Sequence, residues 1–75
     1  MELYIETEQE TDGRWIAEIA EIPGVLAYGQ TELQAKEKAK ALALRVLADR
    51  IESESSMPPI NHIAFTSSYG HVAVN

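Results

Sequence analysis

The first 22 residues contain two alternating segments around one turn signal, and this pattern restricts the fold more than any other feature. Residues 3–10 alternate between apolar and acidic positions, and residues 14–22 place Trp15, Ala17 and Ile19 on one face. The segment between them is Thr11-Asp12-Gly13, which is typical of a β-hairpin turn. The pattern predicts two half-buried strands, at about residues 2–10 and 14–22, that share one apolar face.

The parity of the side chains selects the length of the hairpin loop. A two-residue Asp-Gly loop would pair Ile5 with Ala20, whereas a three-residue loop pairs Glu10 with Arg14 and Ile5 with Ile19. A slip of one residue turns every side chain to the other face, so only the second register keeps the apolar positions together. A three-residue loop also favours a glycine in the left-handed conformation. We therefore expect the three-residue loop, with Gly13 in that conformation.

This register collects carboxylates on the outer face of the hairpin. Glu6 lies opposite Glu18, Glu8 lies opposite Ile16, and Glu10 follows near the turn. Like charges directly across a strand pair are mildly destabilising. The pattern has two interpretations, an acidic patch that binds a cationic partner or a solvated face that resists aggregation.

The next segment connects the hairpin to a long helix. Pro23-Gly24 predicts a turn, residues 25–29 a third strand, and Gly29 a point where the chain leaves that strand. Thr31 can cap the helix, and Gln34 sits at the position that completes a capping box. The helix is predicted at about residues 32–52, before the SESSMPP segment ends it.

The order of elements determines the topology. A fourth strand is predicted at about residues 60–66, with a tail at 67–75, so the order is β-β-β-α-β in one domain of residues 1–75. A helix that joins two strands of one sheet implies a right-handed crossover and parallel strands. We expect an α+β fold with a four-stranded mixed sheet in the order 3-2-1-4 and the helix across one face.

The apolar surface of the helix is broad. The predicted buried stripe comprises Ala35, Ala39, Leu42, Ala43 and Val46. Further apolar residues widen it to about half the circumference, and these candidates for self-association are Leu33, Leu44, Leu47 and Ile51. Small domains without disulfides often gain stability by self-association, so we favour a homo-oligomer. A strongly wrapped sheet or the C-terminal tail could cover the same surface.

The charge distribution is uneven. The net charge is −6, and residues 1–22 hold seven acidic residues but only one basic residue, Arg14. Such a chain repels phosphate backbones, which disfavours direct binding of nucleic acid and favours a basic protein partner. The sequence has neither an apolar run of membrane-spanning length nor a signal-peptide pattern, and a cytoplasmic location is expected.

The segment GVLAYGQT, residues 24–31, differs from a nucleotide-binding phosphate loop in only one letter. The residues between its glycines are strand formers. In an extended strand the backbone N–H groups point alternately in opposite directions, so they cannot bind one anion together. The lysine of the phosphate loop is replaced by the neutral Gln30. A turn, a short strand and a helix cap explain the same residues, so no nucleotide site is expected.

Other chemistry has equally little support. The sequence contains no cysteine, and neither His62 nor His71 is closely spaced with acidic residues. No metal site is therefore expected. Tyr4, Tyr28 and Tyr69 lie in separate elements, and base stacking would need them on one basic face. Trp15 is interpreted as a core or sheet-edge anchor, with a binding hot spot as the alternative. We expect neither a cofactor nor enzymatic activity.

Residues 12–52 in combination resemble the small HicB-like antitoxins. The resemblance rests on the Asp12-Gly13 hairpin, the W-x-A-E-I strand that begins at Trp15, the segment PGV-x-A-x-G-x-T from Pro23 to Thr31, and the Ala/Leu-rich helix. The family's fold is a partial RNase H-like βββαβ sheet without a working nuclease site. Its implied role is to bind and block a HicA-type toxin, a small basic ribonuclease that cleaves messenger RNA.

The resemblance directs attention to the acidic hairpin. We expect Glu6, Glu8, Glu10 and Glu18 to contact the basic toxin. Longer members of the family carry a C-terminal DNA-binding segment, but the tail after the fourth strand here has no arginine, lysine or predicted helix. Direct repression of the operon is therefore not expected. Two alternatives remain, an orphan regulatory or scaffold module without a toxin and a transcriptional regulator that acts through an oligomer.

Overall fold

A computed structural model describes residues 1–53 and 59–67 of the chain. The elements are β1 (Glu2–Gln9), β2 (Trp15–Glu18), β3 (Leu26–Gly29), α1 (Glu32–Glu52) and β4 (Ala64–Ser67). They form a four-stranded sheet in the order β3-β2-β1-β4. The β1–β4 pair is parallel, and the β1–β2 and β2–β3 pairs are antiparallel. The predicted α+β class, element order and strand order are confirmed.

The hairpin has the predicted three-residue loop. Thr7 pairs with Ala17 and Glu6 with Glu18, while the N–H of Glu10 donates to the carbonyl of Arg14 at 2.7 Å. Gly13 has φ +95°, the left-handed conformation that this loop favours. The carboxylate of Asp12 accepts a hydrogen bond from the N–H of Arg14 at 3.1 Å and fixes the turn.

The second strand is shorter than the predicted 14–22. Ladder pairing ends at Glu18, and the chain turns with a hydrogen bond from the N–H of Ile22 to the carbonyl of Ile19 at 3.1 Å. A second turn follows through Pro23 and Gly24, where Gly24 has φ +89°. Proline followed by a positive-φ glycine defines a type II turn. Ile19 and Ile22 remain buried, so apolar positions that suggested a longer strand belong to turns.

The fourth strand begins four residues later than predicted, at Ala64 instead of residue 60. Its partner β1 begins at Glu2, which pairs with Ala64, so residues 60–63 precede the start of the neighbouring strand. The N-terminal amine of Met1 instead donates to the carbonyl of His62 at 2.9 Å. The predicted C-terminal tail, apart from Ser67, lies outside the described residues.

Thr31 caps the helix through its side chain. Its hydroxyl oxygen accepts a hydrogen bond from the N–H of Gln34 at 3.0 Å. The carboxamide oxygen of Gln34 accepts from the N–H of Gln30 at 2.6 Å, one residue before the cap. The reciprocal pair therefore differs from the standard capping box, in which the second acceptor reaches the cap residue itself.

The helix packs on one face of the sheet through small side chains. Its buried residues are Ala35, Ala39, Ala43 and Leu47, while Leu42 and Val46 are only half-buried at the margin of the core. The core also contains Leu3, Ile5, Ala17, Ile19, Ile22 and Val25. A row of alanines allows the helix to approach the sheet closely, mainly over β3 and β2.

The closest approach occurs at Gly29. A Cβ atom added there would lie 2.5 Å from the backbone nitrogen of Ala35. Backbone atoms cannot rotate away as a flexible side chain can, so any larger residue forces the helix away from β3. The sequence gives Gly29 a role in leaving the strand, and the structure adds a packing requirement.

Candidate partner-binding face of the sheet

The side of the sheet opposite α1 carries no other element among the described residues. We call this side the open face, and its central residues are Tyr4, Glu6, Glu8, Ile16, Glu18, Leu26 and Tyr28. Side chains alternate between the two faces of a strand, so these positions point away from the helix. The open face is therefore available to a partner.

Two cross-strand rows give the open face its chemistry. One row runs from Leu26 through Glu18 to Glu6, and the other runs from Tyr28 through Ile16 to Glu8. The face is consequently apolar at β3 and acidic at β1. Directly opposed residues in a sheet approach within about 5.5 Å between Cβ atoms, so Glu6 and Glu18 repel each other at short range.

All four predicted contact residues line one shallow depression. Its volume is about 470 Å³, and its lining comprises Glu6, Thr7, Glu8, Glu10, Ile16 and Glu18. Thr7 belongs to the opposite face by its side chain, because its hydroxyl donates to the carboxylate of Glu32 at 2.7 Å. The register of the hairpin thus brings together the carboxylates that the sequence singled out.

No cation in the described part of the chain neutralises these four carboxylates. The ion pairs lie elsewhere, namely Arg14 with Asp12, Lys36 with Glu32 and Lys40 with Glu37. The acidic end of the open face is therefore an uncompensated negative surface, although Arg14 lies close by.

Arg14 is held at the apolar end of the face. Its guanidinium lies 4.7 Å from the centre of the Tyr28 ring, and its Nε donates to Asp12 at 2.9 Å. The hydrogen bond from the backbone N–H of Arg14 is the main cause that lowers the pKa of Asp12, and the Arg14 guanidinium adds to it. Both interactions direct Arg14 towards the turn and Tyr28.

The apolar part of the face is the component that the sequence interpretation missed. Tyr4, Leu26 and Tyr28 are all exposed although they are large and apolar. Tyr4 and Tyr28 share the open face, whereas the sequence suggested only that the tyrosines are scattered. The sequence did contain a signal for this, because Tyr4, Ile16 and Tyr28 occupy positions on the same face once the strands are paired. Tyr69 lies outside the described residues.

The remaining predicted residues separate into core and surface. Trp15 is half-buried against the core on the helix side, which agrees with its interpretation as an anchor. Leu47 was predicted as a residue for self-association, but it is 2% exposed and belongs to the core. It lies where the helix faces the sheet, so only the other three residues predicted for self-association, Leu33, Leu44 and Ile51, are exposed.

Residues 1–53 and 59–67 contain no group of three or more histidine, cysteine, aspartate or glutamate side chains placed to hold a metal ion. His62 uses its carbonyl to accept a hydrogen bond from the N-terminus, and His71 lies outside the described residues. Among the described residues, no helix combines the length and the apolar character that a bilayer span requires.

No protein-family model, curated protein or solved structure matches this chain.

Proposed function

We propose that this protein is a HicB-like antitoxin that binds a small basic ribonuclease of the HicA type through the open face. The observation that carries the proposal is the opposition of Glu6 and Glu18, uncompensated within the described residues, beside exposed Leu26. The resemblance of residues 12–52 supplies the identity of the partner. The structure supplies a surface of suitable chemistry for it.

The chemistry of the face fits a partner that presents cations around an apolar centre. A ribonuclease must offer a positive surface to RNA, and a negative protein surface competes for the same groups. Complementary charge accelerates association, while desolvated apolar and aromatic contacts supply most of the affinity. Glu6, Glu8 and Glu18 serve the first role, and Leu26 and Tyr28 serve the second.

Masking requires no catalytic chemistry from this chain. The partner's cations would lie between the carboxylates of Glu6 and Glu18 and relieve their mutual repulsion. The repulsion is therefore a cost in the free protein that disappears in the complex. Helix α1 lies on the other side of the sheet and supports the binding face without contacting the partner.

Co-expression with a small basic protein encoded by an adjacent reading frame tests this function. The wild-type chain should restore growth and co-purify with the ribonuclease, whereas the double variant Glu6→Lys/Glu18→Lys should do neither. The two lysines repel each other as the two glutamates do, so the sheet should keep its stability. Glu52→Lys makes the same type of charge change on the exposed end of the helix and should behave as wild type.

Two results would contradict the proposal in different ways. If the double variant folds and still binds, the open face is not the interface. If the wild-type chain neither restores growth nor co-purifies, the chain is an orphan module of the same fold without this toxin.

A further inference from the structure

The helix carries a line of exposed apolar side chains that the core does not use. Leu33, Leu44 and Ile51 are 67%, 46% and 58% exposed. They are spaced by about three turns and about two turns of an α-helix, so they lie on one line along its side. We call these three residues the helix seam. It lies in the helix layer, on the opposite side of the sheet from the open face.

We propose that the helix seam pairs with the seam of a second copy of this chain, with the two helices antiparallel. In this arrangement a two-fold axis passes the seam at the axial level of Leu42, whose side chain lies on the opposite side of the helix, and sets Leu33 of each copy against Ile51 of the other copy. The two Leu44 side chains then lie about one turn apart near the axis.

The charge distribution explains why a second copy fits here. Between Thr31 and Glu52 the chain has four acidic and five basic residues, so the helix is nearly neutral. The open face, by contrast, is acidic and would repel its own copy. Of the two exposed apolar surfaces described, only the helix seam can contact the same surface of a second copy without strong electrostatic repulsion.

The orientation follows from the charges that flank the seam. A parallel pair in register would set Glu37 against Glu37, and it would align the two helix dipoles unfavourably. The antiparallel register instead sets Glu37 of each copy within reach of Arg45 of the other. Arg45 forms none of the ion pairs of the described chain, so it is available for this contact.

The size of the seam sets the strength of association. The strip from Leu33 to Ile51 is roughly 27 Å long and roughly 10 Å wide, from the helix rise and diameter. This area is well below the approximately 800 Å² per partner of a standard interface. A weak and reversible dimer is expected. The dimer leaves both open faces exposed, so under the proposed function it would bind two partners.

Sedimentation velocity of the purified chain alone, across a concentration series from micromolar to about millimolar, tests the inference without any toxin. The wild type should shift from monomer to dimer. Leu44→Gln should raise the dissociation constant at least about tenfold, because it places a polar group at the centre of the seam. Leu26→Gln is the matched control on the open face and should leave the constant unchanged.

A charge exchange tests the register. Glu37→Arg and Arg45→Glu should each weaken the dimer roughly fivefold, because the symmetry converts two attractive contacts into repulsive ones. The variant with both changes should recover wild-type association to within about twofold. Within one helix these positions are more than two turns apart, so recovery cannot arise inside a single copy.

Four results would overturn the inference. A chain that stays monomeric throughout the series has no such interface. An equal loss for Leu26→Gln and Leu44→Gln places the contact elsewhere. A charge exchange without recovery rejects the antiparallel register. If Leu44→Gln instead prevents co-purification with the ribonuclease and leaves the oligomeric state unchanged, the seam belongs to the partner and not to a second copy.

Discussion

Replacement of Gly29 by alanine should destabilise the protein through a clash between strand and helix. The added Cβ would lie 2.5 Å from the nitrogen and 3.0 Å from the Cα of Ala35, both of them backbone atoms. An ordinary contact needs at least 3.4 Å. The start of α1 must therefore withdraw by about 1 Å from β3, and overpacking of this kind costs about 1–3 kcal/mol.

The net effect is smaller than the cost of the clash. Alanine restricts the unfolded chain more than glycine does, and this stabilises the folded state by about 0.4–1 kcal/mol. A net loss of about 1–2 kcal/mol remains, and in a domain of this size it lowers Tm by about 4–15 °C. Thermal unfolding followed by far-UV circular dichroism measures this difference directly.

Hydrogen exchange and a second glycine variant separate the clash from general backbone strain. The N–H of Ala35 donates to the carbonyl of Thr31 at 3.0 Å in the first turn of the helix. Gly29→Ala should accelerate exchange of this amide. Gly24→Ala, where no atom lies within 4 Å of the added Cβ but φ is +89°, should lower Tm without that local change. An unchanged or higher Tm for Gly29→Ala would refute the close-packing argument.

Four further substitutions test the strand register, the hairpin and the division of the helix between core and surface. Glu18→Gln should raise the free energy of unfolding by about 0.2–1 kcal/mol, because it removes repulsion with Glu6; a loss of stability in urea unfolding would contradict this pairing. The lowered pKa of Asp12 means that the unfolded chain binds its proton more readily. Its contribution to stability is therefore present above the ordinary value of 3.8 and is lost as the pH falls through the folded pKa. Asp12→Asn should lack this acid-dependent component in a urea-unfolding series over pH, and an identical pH profile would exclude it. Leu47→Ala should cost about 2–5 kcal/mol in urea unfolding as a core truncation, whereas Leu44→Ala should change monomer stability by less than about 0.5 kcal/mol. Equal losses for these two leucines would contradict the assignment of Leu47 to the core.

The hairpin could be predicted because its information is local. Parity alone distinguishes the pairing of Ile5 with Ile19 from its alternative, since one register buries the apolar side chains and the other exposes them. The strand order followed from the position of one helix between β3 and β4. These features depend on neighbouring residues and on a general rule of chain connection.

The missed features depend on the placement of elements in space. Leu47 and Leu44 look alike in the sequence, and only the direction from which the helix meets the sheet separates a buried from an exposed side chain. Gly29 resembles an ordinary strand end until Ala35 is placed beside it. The start of β4 depends on where β1 begins, which residues 60–63 do not encode.

The candidate site was predicted in part for the same reason. The carboxylates of Glu6, Glu8 and Glu18 could be grouped because they belong to one hairpin. The apolar residues Leu26 and Tyr28 could be added only once β3 was paired in register with β2. A site assembled from cross-strand rows therefore becomes complete only with the third strand.

The two proposed surfaces lie on different layers of the molecule, one on the sheet and the other on the helix. We propose the open face as the site for a basic partner and the seam on α1 as the site for a second copy. Because the sheet separates them, a variant of one surface should leave the other unaffected. This independence allows the self-association and the antitoxin function to be tested separately.

The central claim is that the open face binds the basic partner. The most direct measurement is a nuclear magnetic resonance titration of the isotope-labelled chain with a small basic protein encoded by an adjacent reading frame, added unlabelled. The largest shift changes should occur at Glu6, Glu18 and Leu26, while the amides of Leu33 and Ile51 change little. Changes confined to the helix, with the amides of β1 and β2 unaffected, would contradict the account.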